Sequence, residues 1–220
     1  VTETNTTNQT RRGIRLTVIG CVAFILLMIA FLINNLLTPR VMTADELRLN
    51  GAVVFDTPRR FDDFTLLNQK GDGFTRADLV GQWSLVFFGF THCPDICPTT
   101  MAELDRLLKN LPADIAADTE VILVSLDPAR DTPEVLSEYV GYFDPTFIGV
   151  TGDFLTLRRF ANQVNVAFNK VTIGDDYTVD HSANVVLINP RGDYHGFFKP
   201  PFELAKLKAT YSSIHQSFKH

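Results

Sequence analysis

The chain has 220 residues, 45% of them hydrophobic and 20% charged, with a formal net charge of -5 at pH 7. This composition supports one anchor and one domain with a real core, and it excludes an intrinsically disordered chain. Setting aside Arg11, Arg12, Arg15, Arg40 and Glu3, the sequence beyond residue 40 carries 16 basic and 24 acidic side chains, a net of -8, which excludes nucleic-acid binding through a basic surface.

Residues 1–13 are rich in Thr and Asn and lack apolar periodicity, which predicts a disordered cytoplasmic tail. A transmembrane anchor is expected over 14–37, where the run from Leu16 to Leu37 holds 22 residues without a charge. At about 1.5 Å per residue, such a helix spans a hydrocarbon core of roughly 30 Å. Arg11, Arg12 and Arg15 precede the run and only Arg40 follows closely. The positive-inside rule therefore keeps the N-terminus in the cytoplasm and exports the rest. A cleaved signal peptide would carry a shorter apolar core ending at small residues. The VIGC at 18–21 matches a lipoprotein cleavage box only superficially, and Cys21 reads as a bystander in the helix. The expectation is a single-pass protein of the inner (cytoplasmic) membrane with a periplasmic, or equivalent extracytoplasmic, C-terminal domain. Residues 38–60, with Pro39, Pro58 and Arg59–Arg60, read as a linker holding a short helix from Ala44 to Leu49, and 61–220 as the domain.

Within that domain, residues 61–76 hold a Gly-Asp-Gly turn between two short strands. SLVFFGF (84–90) is nearly continuous apolar sequence, as a strand buried on both faces requires. VILVSL (121–126), FIGV (147–150) and NVVLINP (184–190) are similar. Helical faces alternate with them: Met101, Leu104, Leu107, Leu108 and Leu111; Val135, Leu136, Tyr139, Val140 and Phe143; Phe154, Leu157, Phe160, Ala161 and Val164; and Leu204, Leu207, Tyr211 and Ile214 after Pro200–Pro201. Asn189–Pro190–Arg191–Gly192 predicts a hairpin turn. The order is that of an α/β domain with a mixed sheet flanked by helices.

The informative stretch is GFTHCPDICPTTM, from Gly89 to Met101, between a buried strand and an amphipathic helix. Open α/β sheets place ligands at such junctions. Pro98 suits the first turn of the helix, so Cys97 falls near its N-terminus, where unpaired amides favour a thiolate. A low-pKa thiolate can attack a disulfide or hold a soft metal. Three residues separate Cys93 from Cys97, one more than in the thioredoxin redox spacing, and the flanking prolines argue against burial of either sulfur. Of the five histidines, His215 and His220 read as solvated, His195 falls in the hairpin, His92 points away from Cys93, and His181 lies on a loop before the strand from Val185. Spacing alone leaves the third ligand open.

GFTHCPDICPTT, SLDPARDTPEVLSEYV (125–140) and VDHSANVVLINPRG (179–192) together resemble the Sco/SenC family, the copper-binding proteins of cytochrome oxidase assembly, from about Phe61 to the C-terminal helix. The resemblance implies a thioredoxin-like fold, and copper, as Cu(I) or Cu(II), bound by Cys93, Cys97 and His181. It implies service to the dinuclear copper site of a cytochrome c oxidase subunit, with an upstream copper donor as a further partner. The resemblance places Asp127, Arg130 and Asp131 near the site, whereas the residues themselves read as a loop leading into a helix capped by Asp131 or Thr132, with no catalytic part. Asp95 is expected to steady the loop or meet a partner, and Asp180 to orient His181.

Two functions compete. A metallochaperone carries copper and hands it over. A thiol–disulfide oxidoreductase would use Cys93 and Cys97 as a redox pair to reduce the cysteines of the copper-receiving subunit, with no need for His181. A peroxiredoxin-type peroxidase places Thr three residues before its reactive Cys, and here that position is Phe90.

Overall fold

A computed structural model describes residues 3–37, 41–174 and 176–218. The chain divides between residues 40 and 41 into two units. The first is a single helix, α1 (Glu3–Leu37), in which the 20 residues Ile14–Ile33 are long and apolar enough to cross a membrane. Helix replaces the disordered tail expected before residue 14. No proline interrupts residues 3–13, and extending a formed helix avoids the cost of a new nucleus. Pro39, Arg40 and His220 lie outside the described residues.

The second unit opens with α2 (Ala44–Leu49), whose N-terminus is closed by a reciprocal capping box between Thr43 and Glu46. The expected linker ends there. Ala52–Arg59 forms strand β1, paired antiparallel with the later strand Tyr194–Phe198, and Ala52 is fully buried. Pro58 and the two arginines masked this strand in the sequence. They are tolerated because β1 is an edge strand whose register breaks between Val54 and Arg59.

The remaining strands are β2 (Thr65–Asn68), β3 (Gly73–Thr75), β4 (Trp83–Gly89), β5 (Thr119–Ser125), β6 (Ile148–Thr151), β7 (Phe168–Ile173), β8 (Asp176–His181), β9 (Val185–Ile188) and β10 (Tyr194–Phe198). The remaining helices are α3 (Ile96–Asn110), α4 (Ala113–Ala117), α5 (Pro133–Phe143), α6 (Phe154–Gln163) and α7 (Leu204–Phe218). Eight strands make one mixed sheet in the order β1-β10-β9-β4-β5-β6-β2-β3, with β4, β5 and β6 parallel. Every residue of β4 and β5 is buried, as their continuous apolar sequence demands. Helices cover both faces. Phe88 of β4 meets Phe160 of α6 at 5.3 Å, while α3 packs against α5 and α7. The expected helical faces are largely the inward ones, though Val135 and Phe154, at the starts of α5 and α6, are exposed, and Thr132 caps α5 while Asp153 caps α6. In the 189–192 turn the Asn189 side chain accepts the amides of Arg191 and Asp193, and Gly192 takes a φ of 71°.

One histidine departs from expectation, while His195 lies in the hairpin as expected. His215, expected to be solvated, is buried against Trp83, and its Nε2 lies 2.7 Å from Asp118 Oδ2. It follows Tyr211 by one helical turn and so shares the inward face of α7. His195 on β10 is also buried, with the Trp83 ring 5.1 Å away and Phe218 at 5.7 Å. Burial, aided by the positive charge of Arg191, depresses its pKa from 6.5 to about 4.

The neutral imidazole therefore stabilises the fold fully above pH 6.5, and that contribution is lost as pH falls through about 4. At roughly 1.4 kcal/mol per tenfold change, the loss approaches about 3 kcal/mol. Urea unfolding at pH 7 and pH 4 measures it. In His195→Phe the acid-dependent part of the loss is expected to shrink by a comparable amount.

Candidate metal centre

Strand β4 ends at Gly89, where the sheet's parallel centre opens onto the loop that leads to α3. A Cβ built on Gly89 would stand 3.0 Å from the Cys97 sulfur and 2.9 Å from the Phe87 ring, so the sulfur lies directly on the strand backbone. The loop is tied down at Thr91. Its amide and its hydroxyl both donate to the buried carboxylate of Asp131, at 3.1 and 2.6 Å, and Ser125 Oγ donates to the same carboxylate at 2.6 Å. A turn then brings the Cys93 amide to the carbonyl of Phe90. Cys97 sits in the first turn of α3 and its amide donates to Cys93 Sγ at 3.4 Å. An otherwise unpaired amide of the helix N-terminus thus holds the sulfur.

Cys93 is partly exposed, whereas Cys97 is completely buried. The burial of Cys97 corrects the expectation drawn from the flanking prolines. Those prolines shape the loop, but the position of Cys97 inside α3 turns its side chain onto β4.

His181 is the last residue of β8, not part of a loop. The β7–β8 hairpin was not anticipated, although Tyr177, Val179 and His181 alternate with the polar Asp176, Thr178 and Asp180 as a half-buried strand should. The imidazole lies edge-on to the rings of Phe87 and Phe90, with centroids 5.8 and 6.0 Å away. Its Nδ1 donates to the carbonyl of Ser182 at 3.1 Å, which leaves the Nε2 lone pair directed at the site. That carbonyl, rather than Asp180, orients the ring. Strand alternation puts Asp180 on the exposed face of β8. Nε2 is 3.6 Å from Cys97 Sγ, and the ligand atoms of Cys93, Cys97 and His181 all lie within 4.8 Å of one another.

The group consists of these three residues. His92 is half exposed beside Thr91, and Asp95 makes no side-chain cap to α3. Cys21 belongs to the other unit, on the exposed surface of α1. Asp131 caps nothing; it anchors the cysteine loop.

The two thiols are electrostatically unequal. A hydrogen bond from the Cys97 thiol lowers the pKa of Cys93 to about 4, overcoming the opposing effect of burial, and the amides of Asp95 and Cys97 lower it further. Cys97 is pushed far up, because it donates that hydrogen bond and is buried. At neutral pH the pair therefore holds one thiolate, at the exposed sulfur, and one proton, at the buried one. The hydroxyl of Tyr139, on α5, is buried without a hydrogen-bond partner, and its pKa is raised first by burial and then by the nearby negative charges of Cys93 and Asp131.

A thioredoxin-like sheet carrying a dithiol and an imidazole at the end of its central strand defines a soft-metal or thiol-redox domain. The chain belongs to the SCO1/SenC family, whose pattern matches residues 56–216. It is 36% identical over 170 residues to the SCO2-like protein of Rickettsia felis, covering 74% of this chain and 79% of that one. The structure of Arabidopsis thaliana ScoI with copper bound superposes with a TM-score of 0.65 at 32% identity, covering 70% of this chain and 98% of the other. BsSco, a member of the Sco family of cytochrome c oxidase assembly proteins in which a disulfide switch has been identified, gives 0.59 at 26% identity, covering 74% and 98%.

In reduced, metal-free protein, iodoacetamide is expected to modify Cys93 at least about tenfold faster than Cys97, since reaction needs an accessible thiolate. The Cys93 rate should hold steady as pH is lowered and drop only near pH 4. Peptide mass spectrometry reads both rates, and equal labelling of the two sulfurs would contradict the asymmetry.

Proposed function

We propose that this chain is a membrane-anchored copper metallochaperone. It holds one copper ion through Cys93 Sγ, Cys97 Sγ and His181 Nε2 and delivers it to the dinuclear copper site of a cytochrome c oxidase subunit. The observation that carries this reading is the convergence, within 4.8 Å, of three ligand atoms from a loop, a helix and a distant strand. First-row metals bond nitrogen and sulfur at roughly 2.0–2.3 Å, so ligands sharing an ion stand about 3.5–4.5 Å apart. Little adjustment is needed.

Thiolates suit Cu(I), and the imidazole accommodates Cu(II). Structural zinc takes a closed set of four ligands, and among the described residues no fourth His, Cys or carboxylate joins these three. Three ligands leave a side open toward a mouth lined by Pro94, Asp95, Ile96 and Val171. A partner's ligand enters there and the ion leaves. Relatives with bound copper and roles in oxidase assembly support the cargo and its destination. The apolar helix with Arg11, Arg12 and Arg15 before it supports an inner-membrane anchor with the N-terminus in the cytoplasm. The domain then faces the side where the receiving oxidase subunit and an upstream copper donor would meet it.

A second reading, reduction of the receiving subunit's cysteines, is favoured by the thiolate at Cys93 beside a protonated Cys97. In that reaction Cys93 attacks the substrate disulfide and displaces one thiolate. Cys97, losing its proton, then attacks the mixed disulfide and releases the second, leaving Cys93 and Cys97 oxidised to each other. His181 has no part in it.

Cu(I) titration of residues 41–220 is expected to give one copper per chain, lost in Cys93→Ala and Cys97→Ala and weakened in His181→Ala. Oxidising the pair should block uptake. Undiminished binding by all three variants would sink the assignment, and indifference to His181→Ala alone would favour the thiol-exchange reading.

A further inference from the structure

The β7–β8 hairpin that carries His181 is not part of the main sheet. It is a separate two-stranded ladder, paired from Phe168 with His181 to Ile173 with Asp176. Strand β7 is exposed along all of its length except Phe168. Behind the hairpin lies a cavity of about 340 Å³, lined by Leu126, Asp127, Phe154, Arg158, Phe168 and Tyr177 among others. Packing beneath the hairpin is therefore sparse. Val179 is buried and Phe168 meets the ring of Phe154 at 5.9 Å, but most of the named attachments are polar.

Those attachments centre on three residues, Asp127, Arg130 and Tyr177. The Tyr177 hydroxyl donates to Asp127 Oδ1 at 2.8 Å. Arg130 Nε donates to the other oxygen of the same buried carboxylate. Arg130 Nη2 donates to the carbonyl of Tyr177 at 3.2 Å, Nη1 reaches Asp176 Oδ1 at 3.3 Å, and the guanidinium lies 3.8 Å from the centre of the Tyr177 ring. The Lys170 ammonium lies 3.2 Å from the same centre. Such stacking and charge-assisted bonding are stronger than ordinary surface contacts.

Tyr177 and His181 share the inward face of β8, four residues and about 13 Å apart along one strand. One end of the strand is gripped and the other bears the imidazole. The grip also comes from the stretch that ends in Asp131, which anchors the cysteine loop through Thr91. Residues 127–131 thus hold both halves of the ligand set.

We propose that Asp127, Arg130 and Tyr177 form a latch that positions His181 against the cysteines, so that opening it withdraws the imidazole while leaving the dithiol in place. These are positioning residues, and the metal-related half of the proposal rests on the copper reading above. With the latch shut, the ion has three protein ligands. With it open, the ion is held by two sulfurs and is open to a partner's ligand.

The test uses the full chain in detergent, with Cu(I) competed against a chromophoric chelator. Arg130→Met is expected to weaken Cu(I) on the order of tenfold, as loss of a ligand's supporting contacts commonly does. Arg130→Lys, which keeps the charge, should recover part of that loss. In a His181→Ala background, Arg130→Met should change affinity by less than about twofold, because nothing remains for the latch to position. Equal weakening in both backgrounds, or none in either, would overturn the latch. Amide hydrogen exchange of the metal-free protein reads the same device independently: residues 168–181 should exchange faster in Arg130→Met while 91–97 do not. Unchanged exchange in the hairpin overturns the latch. Failure of the unsubstituted chain to retain Cu(I) instead overturns the copper reading, and exchange still decides the latch.

Discussion

Asp131 is a carboxylate with no exposed surface, held by two donors from Thr91 and one from Ser125. Burying such a group is costly unless its oxygens are well satisfied, and here the satisfaction binds three parts of the chain together. Ser125 ends β5, Thr91 begins the cysteine loop, and Asp131 itself leads into α5. Without that carboxylate the loop from Phe90 to Asp95 would have few ties to the sheet beyond its own turn. The sulfurs owe their place to it as much as to the helix that presents them. Its charge also lies close enough to raise the pKa of Cys97, reinforcing the inequality of the two thiols.

That inequality suits either chemistry. An ion meeting the reduced pair finds one thiolate ready and must displace the second proton, so binding is coupled to proton release. A disulfide substrate meets the same ready thiolate. The imidazole is what biases the site toward holding a cation, because sulfur exchange does not use it. Its tautomer and ring rotation are set by the carbonyl of Ser182, a backbone group.

Much of this was legible in the residues. The doubly buried strands β4 and β5 announce themselves as unbroken apolar runs, and the helices by one-sided apolar spacing. The cysteine motif lies where a strand meets a helix, and three motifs in order identify the family. What escaped notice depends on partners distant in sequence. Strand β1 is short of apolar alternation beyond Phe55 and contains a proline, so only its pairing with β10 reveals it. The β7–β8 hairpin buries one residue of β8 fully and none of β7, too weak a pattern to stand out. His215 looks like a polar residue near a terminus until Trp83 and Asp118 are placed beside it. Arg130 and Asp127 read as a helix lead-in because their bonding partner, Tyr177, lies some fifty residues away.

The smallest residue at the junction has its own consequence. Because the Cys97 sulfur rests on the bare backbone of Gly89 and has no surface of its own, it has no direct route to solvent. Whatever reaches it, whether ion, oxidant or rival thiol, arrives by way of Cys93 or the imidazole. Access to the centre is thereby one-sided, so entry and departure share the one face on which Cys93 is exposed.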